Sequence, residues 1–306
     1  MATKDRCTTA VIAFKFNDIY YATSTLEWQR SYYKILILIV TDNVTSNDFP
    51  QKELFDKVII IKYSRSFIFL FYAWWQVLSK FAKCKVDIVF LSNPILIVNQ
   101  LIIKKLCVSK IILLEDGLMN YYQFVPPQYR LKRLLQYIFD ISDEFVFDRI
   151  IYTYLLDPNN AIFWKKERKE LLLDVSVQSQ FRDIIQNKII FAGVPIYKSN
   201  KITVEQYNRV VNQIIQDYKV DYYVPHIFAS PKENIDCEVL DLNKYAVTLE
   251  VLASQYVFTI ISLGSSVLYT TKLINPSIES ILVKPKEWSL NVLSIIVKKC
   301  DQVLVL

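Results

Sequence analysis

Glycine is nearly absent from this chain: 3 residues in 306, at positions 117, 193 and 264. No two of them lie close enough to build a Gly-x-Gly-x-x-Gly dinucleotide turn or a Walker-type phosphate loop, and glycine-rich linkers and collagen-like repeats are excluded as well. Histidine is scarcer still. His226 is the single imidazole, which excludes constellations that need several histidines, zinc sites among them. The 5 cysteines stand at 7, 84, 107, 237 and 300. Their count is odd and no pair has Cys-x-x-Cys spacing, which argues against a disulfide scaffold or zinc ribbon and for a reducing compartment. Long apolar runs are also missing. The longest, Phe67 to Trp75, falls far short of the roughly 20 residues that cross a bilayer. Near the N-terminus, Lys4, Asp5 and Arg6 precede only a brief apolar stretch, Ala10 to Phe14, which does not read as a secretory signal. The expectation is a cytoplasmic protein, attached to a membrane from one side if at all.

What is present suffices for large cores: 53% of residues are hydrophobic and 22% charged, so disorder is not indicated. At about 150 residues per domain the length fits two domains. The net charge of +6 is modest for this length and does not point to nucleic acid.

β-branched, apolar runs recur at 10–16, 34–40, 58–63, 87–91 and 110–114, and again at 188–192, 221–224, 256–261, 280–283 and 302–306. They are continuously hydrophobic rather than alternating, as strands are when both faces of a sheet are covered. Helical patterns intervene at 23–33, 67–83, 94–106 and 204–218, the last with Thr203 as N-cap. The alternation predicts two doubly wound α/β domains. Between them, residues 129–182 are rich in charges and aromatics, with helices expected over 131–139 and 163–173. The turn residues Asp157-Pro158-Asn159-Asn160 place the boundary at 157/158, giving domains 1–157 and 158–306.

Each glycine follows an expected strand, where open α/β sheets bind ligands. Leu114 leads into Glu115-Asp116-Gly117. Carboxylates at a strand tip can act as general bases, and packed together they raise each other's pKa; a capping role for Asp116 is equally compatible. Tyr222-Tyr223-Val224-Pro225-His226 closes another strand, where an imidazolium can donate to phosphate, although single histidines are often structural. Ile261-Ser262-Leu263-Gly264-Ser265-Ser266 turns into a short helix. Free N–H groups and two hydroxyls there would form an anion site, or a serine cap alone.

These elements in this order, Glu115-Asp116-Gly117, His226 and Ser265-Ser266, resemble the signature of bacterial sialyltransferases. The pattern is most similar to glycosyltransferase family 52, with related motifs in bacterial polysialyltransferases and family 80. The resemblance implies a GT-B fold, two Rossmann-like domains facing a central cleft. It implies CMP-sialic acid as donor, a galactoside-terminated glycan of lipooligosaccharide or capsule as acceptor, an inverting transfer, and neither metal nor resident cofactor. The N-terminal domain would be the acceptor side and the C-terminal domain the nucleotide-sugar side. One of Glu115 and Asp116 would deprotonate the acceptor hydroxyl; His226, Ser265 and Ser266 would hold the donor phosphate, with His226 as general acid. Glu250 would bind the ribose, and Gly193 would let the cytosine approach the backbone. One departure stands out: Ile227 occupies the place where the family has proline.

Rival readings are a transferase of the same fold using another nucleotide sugar, and an inactive relative serving as a binding or assembly protein. The basic residues Arg130, Lys132, Arg133, Lys165, Lys166, Arg168 and Lys169, flanked by aromatics and leucines, read as a peripheral membrane contact or as a solvated face. The aromatic run 67–75 reads as a core helix or a dimer contact.

Overall fold

A run of five consecutive apolar residues needs cover on both sides, and Ile35–Ile39 has it: every one of the five is buried. This is the pattern throughout the computed structural model, which describes residues 7–40, 52–63, 67–81, 85–121, 129–162, 167–175, 179–198, 202–226, 229–230, 232–286, 288 and 294–306. The chain divides into two units, 1–172 and 173–306.

The first unit holds seven strands: β1 (Thr8–Ala13), β2 (Tyr33–Val40), β3 (Lys57–Lys62), β4 (Ile88–Leu91), β5 (Lys110–Leu113), β6 (Ile150–Leu155) and β7 (Glu167–Glu170). They lie in the order β3-β2-β1-β4-β5-β6-β7, all pairs parallel. One face carries alternate residues such as Ile35, Ile37 and Ile39, packed with Val77, Val98 and Ile102 of the helices Phe67–Lys80 and Ile97–Lys105, and with Phe81 just past the first of them. Burial at about 25 cal/mol per Å² of apolar surface drives this packing.

The second unit holds β8 (Ile189–Ala192), β9 (Tyr222–Val224), β10 (Glu238–Val239), β11 (Thr259–Ser262), β12 (Glu279–Lys284) and β13 (Gln302–Val305). Their order is β10-β9-β8-β11-β12-β13, again all parallel. Both sheets reverse strand order beside their first strand, at β1/β4 and at β8/β11. These are the switch points where doubly wound sheets bind ligands. The helix Val204–Tyr218 forms where expected. Thr203 Oγ1 accepts from Gln206 N at 3.2 Å, and Gln206 Oε1 accepts from Thr203 N at 2.8 Å, a reciprocal cap.

Three expectations are corrected. The helix expected over 23–33 is instead Phe16–Thr23 and Leu26–Gln29. Ser24 and Thr25 hydroxyls turn back to the Tyr20 and Ala22 carbonyls and end the first helix. In place of the helix expected over 163–173, Glu167–Glu170 form β7 and 171–173 have no regular structure, with Lys169 Nζ lying 3.4 Å from the Tyr152 ring centre. The boundary accordingly falls at Leu172/Leu173 rather than 157/158, because the chain past the turn adds β7 to the first sheet. Among the described residues no helix is long and apolar enough to cross a membrane.

Candidate functional site

In the first unit, β1 stops at Ala13 because a carboxylate captures the next two amides. Asp18 Oδ2 accepts from Phe14 N (2.8 Å) and Lys15 N (3.2 Å), which starts the helix at Phe16. Asp18 is fully buried, its Oδ1 accepts no bond, and burial pushes its carboxyl up against the pull of Lys15. The Lys15 side chain reaches the tip of β5, where its Nζ pairs with Asp116 Oδ1 at 2.8 Å. Asn93, just past β4, donates to Asp116 Oδ2 at 3.4 Å. Asp116 thus stands at the switch point, lining a small pocket with Ser92, Asn93, Pro94, Met119 and Asn120. Its side chain takes no capping bond.

Glu115 is treated differently. It has no solvent exposure. Oε1 accepts from Asn120 Nδ2 at 2.6 Å, and Oε2 accepts from the Tyr121 hydroxyl and from Leu156 N at 3.0 Å. Burial pushes its carboxyl up to about 7, opposed by these three donors. The mutual pKa shift of the two acids expected from their adjacency is therefore not its cause. Glu115 ties together β5, the 117–120 turn and the chain after β6; Asp116 alone of the pair reaches the pocket. Gly117, with φ of 68°, begins that turn in a conformation that favours glycine.

In the second unit, the three strand tips β9, β8 and β11 are neighbours, and they carry His226, Gly193 and the Gly264–Ser266 turn. Ser262, fully buried, bridges the switch point: its Oγ donates to Ala192 O at 2.7 Å and accepts from Ser265 N at 3.3 Å. Gly264 has φ of 120°, open to glycine and strained for other residues. Ser265 Oγ accepts from Val267 N at 3.4 Å, whereas the Ser266 hydroxyl makes no capping bond. The row of free helix N–H groups expected here is not present. Val267 to Thr270 all donate to Ser265 or Ser266 oxygens. Glu250 lies beside this helix, its Oε1 accepting from Thr270 Oγ1 at 3.2 Å.

Two further expectations change. Burial, reinforced by Lys198, holds the His226 imidazole below its ordinary range while Glu233 opposes, so neutral imidazole is favoured over imidazolium. Ile227 lies outside the described residues. Gly193 makes room for the protein's own core. A Cβ there would meet Tyr223 Oη at 2.5 Å and Val224 O at 3.2 Å. The Tyr223 hydroxyl is fixed, donating to Glu233 Oε2 at 2.7 Å and lying 3.2 Å from the Tyr207 hydroxyl. Gly193→Ala is accordingly expected to cost about 1–3 kcal/mol by overpacking, read as a lowered urea midpoint. An unchanged midpoint would mean that the Tyr223 ring moves aside freely.

Sequence reasoning passed over Lys15, Asp18, Asn93, Ser262 and Glu233. Asp18 carried a legible signal, an acid in the first turn of the helix that follows a strand. Lys15 and Asn93 acquire their place only when β1, β4 and β5 are laid side by side.

No protein-family model matches the chain, and no curated protein matches it significantly. Among solved structures, a "putative UDP-N-acetylglucosamine 2-epimerase" from Listeria monocytogenes aligns with a TM-score of 0.51 and 10% identity, over 90% of this chain and 79% of that one. A family 9 glycosyl transferase from Veillonella parvula (TM-score 0.44, 11% identity, 99% and 86% covered) and a UDP-N-acetylglucosamine 2-epimerase from Rickettsia bellii (0.49, 9%, 90% and 78%) score too low to carry an argument. The fold class is α/β: two Rossmann-like, doubly wound parallel units.

Proposed function

We propose that this chain is a glycosyltransferase, and more narrowly a metal-independent, inverting sialyltransferase that moves sialic acid from CMP-sialic acid to a galactoside hydroxyl. The observation that carries the transfer reading is the division of labour between two adjacent acids at a switch point. Glu115 is sealed inside, and Asp116 is presented beside a pocket by Lys15 and Asn93. The CMP-sialic acid reading rests on the resemblance of Glu115-Asp116-Gly117, His226 and Ser265-Ser266 to the sialyltransferase pattern.

In this reading the first unit takes the acceptor. Asp116 receives the proton of the acceptor hydroxyl as that oxygen bonds the anomeric carbon of sialic acid. The bond from that carbon to the CMP phosphate oxygen breaks, and its electron pair leaves with CMP. The second unit holds the donor. Ser265 and Ser266 hydroxyls donate to the phosphate as its charge grows, and the N–H of a neutral His226 imidazole adds a third donor. Glu250, beside the serine helix, accepts from the ribose hydroxyls. Gly193 keeps its place in the core and is given no contact with the base.

Nucleotide release without added metal tests this. CMP-sialic acid should be turned over and UDP-N-acetylglucosamine, the sugar nucleotide in the Listeria protein's name, should not. Ser265→Ala with Ser266→Ala should raise the CMP-sialic acid concentration for half-maximal release by about 10²–10⁴-fold, the loss of two bonds to a charged group at about 1.5–3 kcal/mol each. Release of UDP in place of CMP would sink the sialyl reading and keep the transferase reading. Stabilisation by CMP with no turnover of any donor would favour a binding protein.

A further inference from the structure

The helix Arg130–Phe139 buries only part of its apolar surface. Leu135 and Phe139 pack into a cluster with Leu70, Leu101 and Ile141. Leu131, Leu134, Tyr137 and Ile138 are each at least 49% exposed. A neighbouring helix continues the ledge. The rings of Phe71 and Trp74 of Phe67–Lys80 pack at a tilt against Phe139, with ring centres 5.4 and 5.5 Å from its own. On the same helix Trp75 is 60% exposed and stacks with Tyr72, also exposed. Leu78 and Ile138 line one depression with Lys104, Lys105 and Asp140.

The charges on these elements are of one sign. The helices Phe67–Lys80, Ile97–Lys105 and Arg130–Phe139 contain Lys80, Lys104, Lys105, Arg130, Lys132 and Arg133 and not one acidic residue. Lys104 pairs with Asp140 at 2.7 Å and Lys132 with Asp143 at 2.8 Å, and Lys80 Nζ donates to Ile60 O at 2.6 Å. On the helix surface Arg130 and Arg133 lie on either side of Tyr137, next to Leu134. The second basic cluster read from the sequence is not part of this face: Arg168 and Lys169 lie on β7, with Lys169 paired to Glu27 at 3.3 Å.

We propose that this face docks the first unit onto an anionic bilayer surface. Leucine, isoleucine and tryptophan enter the headgroup boundary, while the arginines and lysines meet acidic headgroups. A soluble anionic polymer would match the cations and leave the apolar ledge without a role. A second copy would set like charges against each other. The inference does not depend on the transfer reaction.

The test is sedimentation of the full chain with vesicles of phosphatidylcholine alone and of equal parts phosphatidylcholine and phosphatidylglycerol. Binding is expected to the acidic vesicles only, and to weaken in high salt. Leu134→Glu with Tyr137→Glu, both exposed and so neutral for melting, should lower the partition constant about tenfold or more. Arg130→Glu with Arg133→Glu should do likewise, here by reversing charge rather than removing apolar surface. Three results would each overturn the proposal: no sedimentation of the wild type with acidic vesicles, equal sedimentation of both variants, or a solution dimer that the Leu134 and Tyr137 changes dissociate without altering vesicle binding.

Discussion

Asp116→Asn is expected to lower kcat for sialyl transfer by about 10²–10⁴-fold, the range lost when a positioned general base is removed. The concentration of CMP-sialic acid for half-maximal rate should barely move, because Asp116 belongs to the first unit and the groups proposed to hold the donor belong to the second. Folding should be nearly unaffected. The ion pair with Lys15 is partly exposed, 34% and 14% for the two side chains, and pairs of that kind contribute up to about 1 kcal/mol. Steady-state kinetics with a circular-dichroism melt separates the two effects. A variant that keeps wild-type kcat removes Asp116 from the chemistry, whatever the donor.

Glu115→Ala should do the reverse and strike the fold first. The substitution removes the buried acceptor of the Asn120 amide, the Tyr121 hydroxyl and the Leu156 N–H, at a cost of about 3–5 kcal/mol near pH 5. The pH dependence has a definite sign. Burial raises the folded carboxyl from 4.5 to about 7, so between those values the native state holds a proton that the unfolded chain has lost. Stability from this group is then fully present below about 4.5 and lost as pH rises through about 7. The gap between wild type and Glu115→Ala should therefore narrow by about 3 kcal/mol between pH 5 and about pH 8. Urea titrations at several pH values read this directly. A gap that stays constant or widens with pH would mean that the three donors outweigh burial and keep Glu115 ionised throughout.

The strands that were legible in the sequence are those with apolar side chains on both faces. Ile35–Ile39 and Ile111–Leu113 are unmistakable because each is covered above and below. The strands that were not legible lack that cover. At the sheet edge, β7 reads Glu-Arg-Lys-Glu, a charged edge of the kind that discourages further pairing. The two residues of β10 carry no periodicity. In β6 the tyrosines at 152 and 154 donate their hydroxyls to Glu27, a residue more than a hundred positions away, and no local pattern announces such a bond.

The candidate site divides along the same line. The placement of Asp116, His226 and Ser265 past strand tips follows from local pattern. Which acid meets the pocket does not follow from composition, although alternation along the strand held a clue. Glu115 shares parity with Ile111 and Leu113, which face the packed helices, and it continues inward. The imidazolium expected at 226 depended on solvent access and on neighbours such as Lys198 that the fold alone supplies. The same holds for the space beside Gly193, which Tyr223 occupies from the adjacent strand.

Product analysis is the most direct test of the proposed sialyl transfer from CMP-sialic acid. Incubated with CMP-sialic acid and a labelled galactoside, the wild type should release one CMP per sialoside formed, with the anomeric configuration of the product opposite to that of the donor. The Asp116→Asn protein should form that product at least about a hundredfold more slowly. A product with retained configuration, or transfer from a UDP-sugar with none from CMP-sialic acid, would contradict it.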